Sequence, residues 1–356
     1  MGVALSQPSS HVSAPRPRHA FRRHRSCSSG PDCRCDTMRS LGRTPRQGIQ
    51  CRDPCAMKNR THDTYRICRA RWPDLFVIGA PRSGTTFFYH LFKSLPEFFV
   101  CPLKEPNYFA TSINRRAKLN KPIQSQRKYL ALFLNARPDQ ILCETSPTYL
   151  WDPQAAANIA KVNPDAKLVA ILRDPVHRAF SHYLMGLGAG YVSGDFVSAL
   201  EWALRRPNDY TGRIAQAGFY ALQLERYWAA FPKSQIKILI HEDFIKDEET
   251  AVSEVCQFAG MTGRLPRSWP RVTNTFDLPV SAVSRMLIRN PVLRWLTREL
   301  VPLSWSGPLR RMLGRPAVKP VMTREEWTFA EKIYRDEVVR LEGLLERKLP
   351  WLRWEE

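Results

Sequence analysis

The sequence predicts an α/β sandwich of three layers, a central parallel sheet with helices on both faces, and three observations carry that expectation. The first is Leu75-Phe76-Val77-Ile78, an apolar strand-like run that empties into a loop bounded by Gly79 and Gly84 and then into a helix-like stretch from Thr85 to Leu95. The second is Lys167-Leu168-Val169-Ala170-Ile171-Leu172, a continuous apolar run of the kind found in strands buried on both faces of a parallel sheet. The third is size: setting aside residues 1–72 leaves about 284 of the 356 residues, enough for one large core.

Residues 1–72 come first and stand apart. They hold fifteen Lys/Arg against four Asp, a net of +11 that leaves +10 of the formal +21 for the rest of the chain. They are rich in Ser, Pro and Arg without apolar periodicity, which predicts a disordered extension or a mispredicted start with the true first residue at Met38 or Met57. Cys27, Cys33, Cys35, Cys51, Cys55 and Cys68 lie at spacings that match no standard zinc finger, with only scattered histidines such as His24 and His62 nearby. Basic charge without interleaved aromatics or a recognisable module gives no expectation of nucleic-acid binding. No run approaches eighteen uncharged apolar residues and no signal-type apolar stretch is present, which predicts a cytoplasmic protein with no membrane span. Cys101, Cys143 and Cys256 are the cysteines of residues 73–356 and read as reduced thiols.

The loop at residues 79–86 is built to hold an anionic ester. Successive N–H groups can point inward at the positive end of the following helix, and Arg82, Thr85 and Thr86 add donors around Gly84. It is a P-loop-type cradle but not the triphosphatase form G-x-x-x-x-G-K-S/T, because Thr85 follows the second glycine and the cation sits earlier, at Arg82. Downstream, Arg173 ends the apolar run, Asp174-Pro175 fits a turn into a helix, and Ser181 lies eight residues after Arg173, so that strand end and helix can offer one donor each to a second phosphate.

These two elements together resemble the sulfotransferases that use 3′-phosphoadenosine 5′-phosphosulfate (PAPS), and the resemblance extends over roughly residues 74–356. It implies that Arg82, Ser83, Gly84, Thr85 and Thr86 bind the 5′-phosphosulfate, with Arg82 stabilising charge on the bridging oxygen, and that Arg173 and Ser181 bind the 3′-phosphate. Lys104-Glu105-Pro106-Asn107-Tyr108-Phe109 is similar to the segment of the heparan-type and bacterial enzymes in which a Glu before x-x-F/Y-F is the general base, which implies that role for Glu105. His182 and His177 are rival bases by analogy with the cytosolic enzymes, although both follow Arg173 on the adenosine side. Cys143-Glu144-Thr145-Ser146-Pro147-Thr148-Tyr149 looks like the family's G-E-x-S/T-P-x-Y segment, with Cys143 in place of the Gly and Thr145 where the 3-O branch has an acceptor-touching Lys. The resemblance implies transfer of a sulfuryl group to a hydroxyl or amine of a glycan or other small acceptor, with no metal ion.

Gly218-Phe219-Tyr220 to Trp228 and Lys237-Ile238-Leu239-Ile240 match scaffold parts of the same family, and their aromatics at helical spacing read as core. Three basic segments, at Arg264 to Arg267, Arg271 to Asn274 and Arg310 to Arg315, are equal candidates for the one that covers the nucleotide. Residues 334–345 have amphipathic helical spacing and are expected to pack on the sheet. Two other classes remain: a P-loop nucleoside or sugar kinase, which needs a Lys after Gly84 and an Asp for Mg²⁺, and a nucleic-acid-binding protein resting on residues 1–72 alone.

Overall fold

The chain divides into two units, Met1–Pro45 and Arg46–Glu356. The computed structural model describes residues 71–114, 123–207, 211–266, 268–269, 277–279, 314–316 and 318–354, all within the second unit. Five strands, β1 (Leu75–Gly79), β2 (Phe98–Val100), β3 (Ile141–Thr145), β4 (Lys167–Leu172) and β5 (Ile236–Ile240), form one sheet in the order β2-β3-β1-β4-β5, and every pairing in it is parallel. All five residues of β1 are buried. Alternation sorts them: Phe76 and Ile78 join one core cluster with Leu142, Leu168, Ala170 and Leu172, while Leu75 and Val77 join another with Val169, Ile171, Phe88 and Phe92. Two separate cores on two faces are what a sheet covered on both sides requires, so the apolar runs are continuous instead of alternating with polar residues.

Between and after the strands lie α1 (Thr85–Ser94), α2 (Gln126–Ala131), α3 (Ala155–Val162), α4 (Pro175–Gly188), α5 (Phe196–Arg205), α6 (Tyr220–Ala230), α7 (His241–Lys246), α8 (Glu248–Ala259) and α9 (Arg324–Leu345). A two-stranded antiparallel ribbon pairs β6 (Asp277–Pro279) with β7 (Gly314–Pro316). The start of α4 follows from its residues. The Asp174 carboxylate accepts from Val176 N at 2.8 Å and His177 N at 3.2 Å, and Pro175 occupies the first turn, where a missing N–H costs nothing.

The last helix departs from expectation. It begins at Arg324, ten residues before Tyr334, because Thr323 and Glu326 form a reciprocal capping box at its start. It lies against α6, α4 and α5, and its Val338 and Leu341 join the core cluster that holds Phe76 and Leu168 of the sheet. Tyr220, Leu224 and Tyr227 of α6 belong to the same cluster. Beyond α9 the chain returns: Trp351 Nε1 donates to Glu242 Oε2 at 2.7 Å and Leu352 N donates to Asp174 Oδ2 at 2.9 Å. At the other end, Trp72 packs its ring 5.9 Å from those of Phe109 and Tyr129, so residues 71–72 are part of this packing. Among the described residues no helix is long and apolar enough to cross a membrane.

Candidate active site

Because all five strands run the same way, the loops leaving β1, β3 and β4 emerge at one edge, the usual ligand edge of an open α/β sheet. Residues 80–84 are the first of these loops. Ala80 N still pairs with Ile171 O at 2.8 Å, after which Arg82 takes φ 72° and Gly84 φ 101° before α1 begins. Gly84 is the position that needs glycine for its backbone angle. Gly79 needs it for closeness, since a Cβ there would stand 2.6 Å from Leu150 Cβ. No side chain caps α1. The Ser83 hydroxyl is fully buried with no hydrogen-bond partner, an orphaned donor inside the loop.

The two predicted phosphate elements meet. Arg82 Nε donates to Ser181 Oγ at 3.1 Å, Arg82 Nη1 lies 3.8 Å from Met185 Sδ, and Arg173 Nη1 donates to Arg82 O at 3.2 Å. Ser181 and Met185 are one helical turn apart on α4, so they present one face to the loop. Arg173 is fixed from behind by the Tyr220 hydroxyl, which donates to Arg173 O at 2.9 Å. Burial pulls the pKa of the Arg173 guanidinium below its ordinary value, and the nearby Glu242 carboxylate pushes it back up.

On the other side of the loop, Lys104 Nζ donates to Thr86 Oγ1 at 2.8 Å and stands 3.8 Å from Glu105 Oε1. Glu105 is about a third exposed and carries φ 59°, with Asn107 at φ 52°, so two non-glycine residues hold left-handed backbone within one turn. The turn is tied down on β3 and its exit. Glu105 N donates to Thr145 O at 3.2 Å, Asn107 N to Ser146 Oγ at 3.2 Å and Phe109 N to the Tyr149 hydroxyl at 3.3 Å.

These anchors converge on one carboxyl. Ser146 Oγ donates to Glu144 Oε1 at 2.5 Å, the Tyr149 hydroxyl to Glu144 Oε2 at 3.0 Å, and the Tyr129 hydroxyl donates to the same oxygen. Burial raises Glu144 to about 7, against the opposing pull of the hydrogen bonds from Ser146, Tyr129 and Tyr149. Neither Lys104 nor Glu144 figures among the sequence-predicted site residues. The signals for them were adjacency to Glu105 and a carboxyl in an otherwise apolar strand.

The rival bases lie on α4. His182 is 3% exposed with its Nδ1 3.2 Å from Arg178 Nη1, and burial followed by Arg178, Arg213 and Arg82 holds its pKa well below the ordinary value. His177 Nδ1 lies 3.6 Å from Asp174 Oδ1 at the start of α4. His241, unremarked in the sequence, packs under Gly84 and is pushed down to about 4 by burial and then by Arg173. Among the described residues no group of three His, Cys, Asp or Glu could hold a metal ion.

The model of the Sulfotransferase family matches residues 73–264, more than half of the chain. This chain belongs to that family. Among curated proteins it is 27% identical over 296 residues to the mouse bifunctional heparan sulfate N-deacetylase/N-sulfotransferase 4, covering 80% of this chain and 31% of that protein. It is 26% identical over 193 residues to the human heparan sulfate glucosamine 3-O-sulfotransferase 6, covering 54% of each. The chain thus spans 31% and 54% of the length of these two relatives. Its fold is shared with a sulfotransferase from Alicyclobacillus acidocaldarius, at a TM-score of 0.59 and 22% identity over 78% of this chain and 98% of that one.

Within this family member, Cys143 and Thr145 sit inside the sheet. Cys143 is fully buried and burial raises its thiol pKa well above the ordinary value; Thr145 is 1% exposed. Of the three basic segments considered for covering the nucleotide, Arg271 to Asn274 and the arginines at 310 and 311 lie outside the described residues, as does Arg267. The proposals for residues 1–70 fall outside them too.

Proposed function

We propose that residues 73–356 form a domain that transfers a sulfuryl group from PAPS to a hydroxyl or amine of a carbohydrate acceptor, with Glu105 as the general base. The observation that supports this most is the meeting of two motifs about ninety residues apart in sequence: Arg82 on Ser181 at 3.1 Å and Arg173 on Arg82 O at 3.2 Å. Adenosine bearing phosphate at both 3′ and 5′ positions is the ligand that needs two anion sites side by side. The residues present fit it: the loop offers the orphaned Ser83 hydroxyl, the uncapped start of α1 and Thr86, and the strand end offers Arg173. When bound, PAPS supplies the sulfuryl group, whose bond to a phosphate oxygen is exchanged for one to the acceptor oxygen or nitrogen. Glu105, about a third exposed beside Lys104, takes the acceptor proton. Lys104 holds the Glu105 carboxylate toward the loop through the 3.8 Å ion pair.

The relatives whose names carry heparan sulfate support a carbohydrate acceptor. The buried free thiols Cys101, Cys143 and Cys256 are compatible with the cytoplasm, a reducing compartment. The test is transfer of sulfur-35 from labelled PAPS to a panel of heparosan, N-deacetylated heparosan, tyrosine peptides and small alcohols. Label in the polysaccharides is the expected result. Label in peptides or alcohols alone overturns the acceptor class, and label in none with no binding of adenosine 3′,5′-bisphosphate overturns the activity.

A further inference from the structure

We propose that Glu144 is the positioning residue of the turn that carries Glu105, and that it acts through the hydroxyls of Ser146 and Tyr149. The inference rests on the reading of Glu105 as the general base and adds how the backbone of that residue is held. A carboxyl in the middle of β3 is costly to bury, and Glu144 is fully buried beside Phe76 of β1. Packing alone does not call for it, because apolar groups of the same shape fill such a place without that cost. What the carboxylate provides is an acceptor on which three hydroxyl hydrogens converge. Ser146 Oγ donates to Oε1 at 2.5 Å, the Tyr149 hydroxyl to Oε2 at 3.0 Å, and the Tyr129 hydroxyl to Oε2 as well.

Two of these hydroxyls go on to hold the turn. A hydroxyl has one hydrogen, and once it is committed to Glu144 the oxygen is left to accept. Ser146 Oγ accepts from Asn107 N at 3.2 Å, and the Tyr149 oxygen accepts from Phe109 N at 3.3 Å. A third tie runs from Glu105 N to the carbonyl of Thr145, the next residue of β3, at 3.2 Å, and Asn107 Nδ2 closes the turn on Glu105 O at 2.9 Å. Both residues with left-handed backbone, Glu105 at φ 59° and Asn107 at φ 52°, are thus tied through their amides. Such backbone persists at a non-glycine residue only where the surroundings over-determine it. Glu144 therefore sets the direction of two of the hydrogen bonds that do so. Tyr129 is a built-in control: its hydroxyl meets the same carboxyl, among the described residues no amide of the turn donates to it, and the stacking of its ring on Tyr108 at 4.3 Å is retained by phenylalanine.

Hydrogen exchange of the whole protein at pH 8, where the Glu144 carboxyl is charged, tests the relay when read at the Asn107 and Phe109 amides. In Glu144→Gln the side-chain NH₂ meets a hydroxyl that donates in the parent, so exchange at Asn107 is expected to quicken about tenfold or more. Ser146→Ala is expected to do the same at Asn107, and Tyr149→Phe at Phe109. Adding Glu144→Gln to Ser146→Ala is expected to change Asn107 little further, since the first acts through the second. Tyr129→Phe is expected to lower the melting temperature and yet to move both amides less than Ser146→Ala or Tyr149→Phe does. Unchanged exchange at Asn107 in Glu144→Gln, full additivity in the double variant, or a Tyr129→Phe protein that loosens the turn as much as Tyr149→Phe overturns the relay. Should Glu144→Gln fail to fold, the comparison of Ser146→Ala and Tyr149→Phe with Tyr129→Phe decides by itself. Turnover supplies a readout that a merely structural role does not move. With sulfur-35 PAPS and N-deacetylated heparosan, Glu144→Gln is expected to lower kcat about tenfold while KM for the polysaccharide and affinity for adenosine 3′,5′-bisphosphate stay within a few-fold. A loss of nucleotide affinity as large as the loss of kcat overturns the positioning role. If Glu105→Gln keeps full turnover, the reading of Glu105 as base is what fails, and the exchange rates still decide whether Glu144 holds the turn.

Discussion

Replacing Glu144 by Gln gives the most discriminating test of the buried hub. The parent carboxyl is held at about 7 in the folded protein against 4.5 for an ordinary glutamate. Between these values the folded chain binds more protons than the unfolded one, so the contribution of this group to stability is greatest below the lower value and is lost as pH climbs through the interval. Each pH unit inside the interval costs about 1.4 kcal/mol. Over the whole interval the loss is on the order of 3 kcal/mol. Glutamine does not titrate. It keeps the length of the side chain and an acceptor for the Tyr149 and Tyr129 hydroxyls, while its NH₂ must face a hydroxyl that now donates to Glu144. The Gln protein is therefore expected to be the less stable of the two at pH 5, to gain on the parent up to about pH 7 and to level off by pH 8. Urea unfolding of both proteins at pH 5, 6, 7 and 8 measures the gap, and every other titrating group cancels in the difference. A gap that stays constant within about 0.5 kcal/mol across the series would show that the carboxyl titrates alike folded and unfolded, and would refute the reasoning.

Three further outcomes are expected. Glu105→Gln keeps the shape of the turn but cannot take the acceptor proton, so turnover with PAPS should fall by about 10² to 10⁴ while nucleotide affinity by calorimetry stays within a few-fold; unchanged turnover would remove Glu105 as the base. Arg173→Ala should weaken adenosine 3′,5′-bisphosphate by about 1.5 to 3 kcal/mol, because a charge-assisted contact is deleted at a partly buried site; unaltered affinity would sink its assignment to the phosphate. Trp351→Ala removes a ring only 4% exposed together with its bond to Glu242, so unfolding free energy should drop by about 3 to 5 kcal/mol, and a drop below about 1 kcal/mol would mean the ring is not packed as described.

Much of the fold and part of the site were legible because a few signals were local. Apolar continuity at Leu75 to Ile78 and Lys167 to Leu172 marks strands with no solvent face, and Asp174-Pro175 writes a helix start in two residues. The loop residues and the Arg173–Ser181 pair were likewise readable from spacing and resemblance. What spacing could not convey was direction. Arg82 reads as part of the loop, but only its left-handed backbone, set by tertiary packing, sends the guanidinium to Ser181. Glu144 reads as one letter of a motif, and its importance appears only when Ser146, Tyr149 and Tyr129, brought from strand exit and helices, close around it. The start of α9 was missed because its signal is the Thr323 and Glu326 pair, which precedes the strongly amphipathic part of the helix.

Leu352 and Asp174 are joined across 178 positions. A ribosome delivers Asp174 and Glu242 long before Trp351 and Leu352, so the five strands can pair while the Asp174 and Glu242 carboxylates still lack these two donors. The surroundings of Asp174 are thus expected to be completed only after the sheet strands have been made. A chain interrupted between α9 and Trp351 would carry every loop of the candidate site and yet leave the buried Asp174 carboxylate and the half-buried Glu242 carboxylate each short of one donor.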